Sequence, residues 1–68
     1  MTARVSNTVN VLRTKAMMTQ EDVAEHVGVS RQTIIAIEKG NYTPSVLLAL
    51  KLAKLFSVPV EKLFSISS

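Results

Sequence analysis

The sequence predicts an all-α fold, a compact bundle of five short helices, and three observations support this. Apolar residues recur at helical spacing along the chain, and no stretch alternates for long enough to be a convincing strand. A chain of 68 residues is near the lower size at which one core folds unaided. No repeat or linker divides it, so we expect one domain over residues 1–68, with a core at about 7–64 and a flexible tail at 65–68.

The first two helices follow from apolar spacing and capping residues. The first is predicted at about Asn7 to Lys15, with Ser6 or Asn7 able to cap it. For the second, Thr19 is the predicted N-cap and Asp22 follows three residues later, which is the capping-box pattern. Gln20 is then its first residue.

A tight turn separates the second helix from the third. Gly28 stands where a helix needs positive φ to end, and only Gly28 and Val29 precede Ser30, the next N-cap. Two helices joined by so short a turn must cross steeply, which is a helix-turn-helix arrangement. The third helix is predicted from Arg31 to about Lys39, and Gly40 stops it.

The last two helices are assigned from the residues at their N-terminal ends. Thr43 is the predicted cap of the fourth helix and Pro44 its first position, with the body of the helix over Ser45 to Phe56. A short fifth helix is predicted at about Pro59 to Phe64.

Composition excludes several kinds of function. The chain has no cysteine, which rules out disulfides, thiolate metal sites and cysteine nucleophiles. Its one histidine, His26, lacks a partner pattern, and no phosphate-binding glycine loop or nucleophile elbow occurs. We therefore expect no enzyme activity, metal, cofactor or small-molecule ligand. Apolar runs reach only five residues, and the first ten residues lack the apolar core of a signal peptide, which predicts a cytoplasmic protein without a membrane span.

The third helix carries its polar side chains on one side and at one end. At 100° per residue, Ile34 and Ile37 point inward. The remaining positions form the outer face and its margins: Arg31, Gln32, Thr33, Ile35, Ala36 and Lys39. A face that is polar at its N-terminal end and small or apolar in the middle fits the major groove of DNA, which admits one helix.

Each residue type on this face has a partner among the bases. Arg31 can pair with guanine and Gln32 with adenine, while Ile35 or Ala36 can touch a thymine methyl. Free N–H groups at the starts of the second and third helices are phosphate ligands, with three polar side chains beside them: Thr19, Gln20 and Ser30. Thr19 and Ser30 are also helix caps, and the two roles are compatible.

The motifs together resemble a known family. The stretch TQEDVAEHVGVSRQTIIAIEKGNYTPS, followed by LALKLAKLFSVPVEKLF, is similar to the lambda-repressor-like, Cro-type helix-turn-helix family, also called the XRE family, in its small single-domain form. The resemblance covers about residues 7–64. It implies five helices, DNA binding through the third, and transcriptional regulation.

The resemblance also implies a role for individual residues. Gln20 would contact phosphate, and Arg31, Gln32 and Thr33 would lie at the groove, with Ile35 or Ala36 against bases. Three further residues would follow the DNA backbone: Lys39, Asn41 and Tyr42. Arg13 would pair with Glu38, which fits a scaffold role because Arg13 is near the end of the first helix and Glu38 lies just off the core face of the third.

Exposed apolar residues predict a homodimer. The hydrophobic fraction of 47% is high for so small a domain. Leu47 falls between Lys51 and Lys54 on the helical wheel, on a face that is expected to be exposed to solvent. Further apolar residues follow those assigned to the core, so the predicted dimer interface consists of Leu47, Leu63, Phe64 and Ile66. Such a dimer would set two third helices roughly 34 Å apart on a palindromic site.

The sequence therefore predicts a regulator that binds double-stranded DNA sequence-specifically as a homodimer and represses transcription by occupying its operator. The net charge of +3 is compatible with a polyanionic partner. The alternative is a helical protein-interaction module, or an antitoxin-like subunit, whose main partner is another protein. Substitutions in the third helix discriminate between these two hypotheses.

Overall fold

The computed structural model describes residues 4–67 of the chain. Five helices lie between two short strands, in the order β1 (Arg4–Asn7), α1 (Val9–Lys15), α2 (Gln20–Val27), α3 (Arg31–Glu38), α4 (Val46–Leu55), α5 (Val60–Leu63) and β2 (Phe64–Ser67). The five predicted helices are all present. Within residues 4–67, none of the helices has the length and apolar character needed to traverse a bilayer.

The two strands were not predicted. They pair antiparallel as a two-stranded sheet, with Val5 opposite Ile66 and Asn7 opposite Phe64. The prediction of a flexible tail is thus wrong for residues 65–67, which belong to β2; Ser68 lies outside the described residues. A strand of four residues is too short to be recognised from an alternating pattern of apolar and polar residues. In this chain the two paired strands also lie at opposite ends of the sequence.

Hydrogen bonds connect β1, and Thr8 directly after it, to two other elements. The Thr8 N–H donates to the carbonyl of Leu63 at 2.9 Å, and Thr8 Oγ1 donates to that of Lys62 at 3.0 Å. Asn7 Nδ2 donates to the carbonyl of Ile37 near the end of α3 at 2.8 Å. Asn7 Oδ1 accepts from the Val9 N–H at 3.1 Å, but the N-cap of α1 is Thr8, so the prediction of Ser6 or Asn7 as the cap is wrong. The sheet is therefore tied to both α3 and α5.

The core is made entirely of apolar side chains. Ile34 and Ile37 have no exposed surface, as their helical spacing predicted. Every helix contributes to the same cluster, which consists of Val9, Val23, Ala24, Val27, Ile34, Ile37, Leu48, Leu52, Ala53 and Leu63. Full burial of a valine, leucine or isoleucine side chain stabilises the fold by about 1.5–3 kcal/mol relative to exposure. The position of α3 is thus set by its two isoleucines.

Four helices end in turns that share one backbone hydrogen bond of the Schellman motif. In each, an N–H donates to a carbonyl five residues earlier: Met18 to Arg13, Val29 to Ala24, Asn41 to Ala36, and Val58 to Ala53. Gly28 has a φ of +76° in the second turn, as predicted, and Gly40 has a φ of +79° in the third. Met17 and Ser57 hold the equivalent positions after α1 and α4, at +58° and +56°.

The start of α4 differs from the prediction by two residues. Ser45 is the N-cap, and its Oγ accepts from the Leu48 N–H at 3.1 Å. The assignment of Thr43 as cap and Pro44 as first helical residue is therefore wrong. Thr43 and Ser45 both lie near the predicted start of this helix, and in the structure Ser45 is the residue that caps it. Residues 39–45 consequently form a longer connection after α3.

Candidate nucleic-acid interface

The cap of α2 has the geometry that its sequence predicted. Thr19 Oγ1 accepts from the Asp22 N–H at 3.0 Å, and Asp22 Oδ2 accepts from the Thr19 N–H at 2.9 Å. Hydrogen bonds to the carboxylate from the backbone N–H of Thr19 and from its side chain lower the pKa of Asp22 below its ordinary value. The reciprocal pair fixes the direction in which the first turn of α2 points.

The start of α3 is fixed in a similar way. Ser30 Oγ accepts from the Thr33 N–H at 3.3 Å and lies 3.1 Å from Thr33 Oγ1. Arg31 and Gln32, the first two helical residues, are exposed, and Thr33 is half-buried. The serine cap and the buried Ile34 therefore hold the base-reading candidates at the open end of the helix.

The middle of α3 is less open than the sequence predicted. Ala36 and Ile35 are both half-buried, so part of the Ile35 side chain is covered by its surroundings. This partial burial explains in part why an isoleucine is accommodated on the outer face. Lys39, the C-cap of α3, is exposed.

A shallow depression joins α3 to the loop that follows it. Its volume is about 330 Å³, and its lining is formed by Gln32, Thr33, Ala36, Asn41 and Tyr42. Asn41 and Tyr42 are exposed, Tyr42 by 47%. The structure thus brings together residues that the sequence placed at bases and residues that it placed at the DNA backbone.

A second cleft lies beside the N-terminal end of α3. Its volume is about 640 Å³, and among its lining residues are Arg13, Thr19, Gln20 and Arg31. The predicted phosphate-contacting residues of α2 therefore share a surface with the first residue of α3. The two cavities flank the exposed start of α3, an arrangement suited to a helix that enters a groove between two phosphate backbones.

Glu38 connects three helices beneath this surface. Arg13 Nε donates to Glu38 Oε2 at 2.7 Å, and Nη2 donates to Oε1 at 3.2 Å, which is the ion pair that the resemblance implied. Glu38 Oε1 also accepts from Asn10 Nδ2 at 3.1 Å and from Gln20 Nε2 at 3.2 Å. Sequence reasoning missed Asn10, although its spacing of three residues from Arg13 places both on one face of α1.

This network determines the charge state of the pair. Burial alone would raise the pKa of Glu38, but hydrogen bonds from Arg13, Asn10 and Gln20 outweigh it, and the pKa lies below the ordinary value. The hydrogen bond to Glu38 raises the pKa of Arg13. Gln20 Nε2 has a second hydrogen available, so the bond to Glu38 orients the amide and leaves it able to donate to phosphate.

The predicted dimer residues occupy different environments. Leu63 is only 1% exposed and belongs to the core, so its assignment to the interface is wrong; it packs inward from the last turn of α5. Phe64 is half-buried, whereas Leu47 and Ile66 are 65% and 79% exposed. Leu47 has two exposed apolar neighbours on α4, Val46 and Leu50.

Comparison with known proteins assigns a family to this arrangement. A helix-turn-helix family model matches residues 11–63. An uncharacterised HTH-type transcriptional regulator of Methanocaldococcus jannaschii is 53% identical over 60 residues, which are 88% of this chain and 91% of that protein. The transcriptional repressor RstR of the cryptic phage CTXphi, from Vibrio cholerae, is 39% identical over 60 residues, which are 88% of this chain and 54% of the repressor.

A solved structure agrees with these matches. The crystal structure of the restriction-modification controller protein C.AhdI from Aeromonas hydrophila superposes with a TM-score of 0.74 and 28% sequence identity. The match covers 79% of this chain and 82% of that one. The family consists of DNA-binding regulators that are not enzymes. The chain therefore belongs to the helix-turn-helix family of transcriptional regulators, of the XRE type.

Proposed function

We propose that this protein is a cytoplasmic repressor that binds a palindromic operator as a homodimer, with α3 of each subunit in the major groove. The observation that carries the proposal is the start of α3. Arg31 and Gln32 are exposed there, directly after a serine cap, and the buried Ile34 follows two residues after Gln32. Side chains that are held in fixed positions on a helix can distinguish one base pair from another.

The base contacts divide between the first turn and the middle of α3. Arg31 reads guanine through a bidentate pair, and Gln32 reads adenine in the same way. Ala36 and the exposed part of Ile35 meet a thymine methyl, since both offer apolar surface beside the polar first turn. Thr33 supports the approach at the groove margin, where its hydroxyl lies near Ser30 Oγ.

The phosphate contacts lie on either side of α3. On one side, Thr19, Gln20 and Ser30 contact one backbone, with the Gln20 amide oriented by Glu38. On the other side, Lys39, Asn41 and Tyr42 contact the opposite backbone. These contacts fix the register of the protein on the duplex and carry no sequence information themselves.

The subunit contact is assigned to α4. Val46, Leu47 and Leu50 are 76%, 65% and 53% exposed, and their spacing of one and three residues places them within about one and a half turns. The sheet offers a smaller apolar surface at the cross-strand pair of Val5 and Ile66. In a two-fold dimer the α4 surface meets its own copy, which removes the larger of the two apolar patches from water.

Repression follows from occupancy of the operator. The repressor RstR, which shares 39% identity with this chain, supports a repressive role.

The proposal is tested by selecting bound duplexes from a random DNA pool. We expect an enriched motif with two-fold symmetry and half-sites one helical turn apart, or a multiple of it. The affinity for the selected site should fall steeply with salt, because phosphate contacts release counterions. A pool that yields no enriched motif would contradict sequence-specific binding, and an enriched motif without symmetry would contradict the dimer.

A further inference from the structure

A third cleft lies between β1 and the C-terminal end of α3. Its volume is about 560 Å³, and its lining includes Arg4, Lys39, Asn41 and Thr43. Lys39 and Asn41 are already assigned to the DNA backbone above, so the cleft continues that surface towards the sheet. Arg4 is exposed and had no role in the sequence analysis.

The charge of this cleft favours an anion. Arg4 and Lys39 are its two cationic residues, and Glu38 is its one acidic residue among those described. The Glu38 carboxylate is engaged by Arg13 and is only 7% exposed, so it offsets little of the positive charge at the cleft surface. Asn41 and Thr43 are exposed beside the two cations and add neutral hydrogen-bond donors.

The end of a helix would ordinarily repel an anion, because its last carbonyls point outward. Here three of the carbonyls near the end of α3 have hydrogen-bond donors. Ile35 accepts from the Lys39 N–H at 3.1 Å and Ala36 from the Asn41 N–H at 2.9 Å. Ile37 accepts from the Gly40 N–H at 3.0 Å and from Asn7 Nδ2 at 2.8 Å. These bonds reduce the local negative potential, and the last of them comes from β1 itself.

We propose that this cleft binds a phosphate group of the DNA backbone and that Arg4 supplies a contact from outside the helix-turn-helix unit. The inference rests on the proposed function, since it extends the same protein–DNA surface. Arg4 begins a strand that is paired with β2, opposite Ser67, and fixed through Asn7 and Thr8. The guanidinium therefore extends from an anchored strand, and the sheet becomes part of the DNA-binding structure.

The test compares Arg4→Gln with the wild-type protein on the duplex selected above, measuring the binding constant over a range of salt. Neutralising one phosphate contact changes the slope of log K against log salt by about 0.9, or about 1.8 for a dimer with two such sites. We expect Arg4→Gln to lose that much slope, Arg4→Lys to retain it, and Lys62→Gln, which removes one exposed charge from α5, to retain it too.

Phosphate ethylation interference gives an independent readout. In the wild type, one position per half-site should be sensitive to ethylation because of Arg4, and that sensitivity alone should disappear in Arg4→Gln. If the wild type binds DNA and Arg4→Gln shows the same slope and the same interference pattern, the inference is wrong and the proposed function stands. If the wild type binds no duplex, the proposed function itself fails.

Discussion

The guanidinium of Arg13 holds the carboxylate of Glu38 through two hydrogen bonds, at 2.7 Å and 3.2 Å, and so joins α1 to α3. The two side chains are only 13% and 7% exposed. A charge at this depth is costly unless it is paired. The pair therefore contributes to the placement of α3 as well as to stability.

Removing the carboxylate should destabilise the fold. We expect Glu38→Ala to lower the free energy of unfolding by about 2–3 kcal/mol, because Arg13 would be left in a largely covered site without its partner. Glu38→Gln should cost less, since its amide oxygen still accepts from Asn10 and Gln20. Urea unfolding followed by circular dichroism measures both, and a loss under about 0.5 kcal/mol in Glu38→Ala would contradict the role of the pair.

Acid should weaken the same interaction. The pKa of Glu38 is lowered in the folded protein, so its contribution is fully present above the ordinary glutamate value of about 4.3. It is lost as the pH falls through the lower folded-state pKa. We expect the stability difference between wild type and Glu38→Gln to shrink between pH 7 and pH 3. Asp22 titrates in both proteins, so a difference that stays constant would show that Glu38 is not responsible.

The turn after α1 should be improved by glycine. Met17 has a φ of +58° and a side chain that is 91% exposed, so it bears left-handed strain with little packing in return. We expect Met17→Gly to stabilise the fold by about 0.5–1 kcal/mol. Ala16→Gly, one residue earlier at a φ of −82°, should destabilise it. Thermal unfolding compares the two, and equal effects would contradict the explanation.

Two substitutions separate base reading from backbone contact. Gln32→Ala should cost about 1–3 kcal/mol on the selected operator and relax specificity at one base position. Lys39→Ala should weaken binding to all sequences alike and reduce the salt slope. Fluorescence anisotropy on the operator and its single-base variants measures both. If neither changes binding, α3 is not the reading helix.

A charge on α4 should dissociate the dimer. We expect Leu47→Glu to sediment as a monomer in analytical ultracentrifugation, because the substitution places two like charges across the two-fold axis. Val11→Glu, at a 49% exposed position on α1, is the matched control and should remain dimeric. If Ile66→Glu is monomeric and Leu47→Glu is not, the contact lies on the sheet. A monomeric wild type would contradict the homodimer.

The helical part of the fold could be predicted from sequence because its signals are local. Thr19 with Asp22, Ser30 with Thr33, and the two glycines each act within a few residues, and the structure contains all four features. Ile34 and Ile37 reveal the inward face of α3 through their spacing alone. The exposed residues at its start follow directly from that assignment.

The remaining features depend on contacts between distant segments. Asn7 pairs with Phe64, and Asn10 donates a hydrogen bond to Glu38. Neither contact can be inferred from the residues adjacent in sequence to one of the partners. Leu63 was misassigned for the same reason, because its burial depends on how α5 meets the rest of the core. Arg4 could not be placed near Lys39 without knowledge of the sheet.

The sheet also has a consequence for the order in which the domain is assembled. The hydroxyls of Ser6 and Ser65 lie 3.1 Å apart although 59 residues separate them in sequence. Closing so long a loop is entropically costly, and β1 has no strand to pair with until β2 has been synthesised. The helices can pack earlier, through contacts that are closer in sequence. During translation, the strand that carries Arg4 should therefore be the last part of the DNA-facing surface to reach its final position.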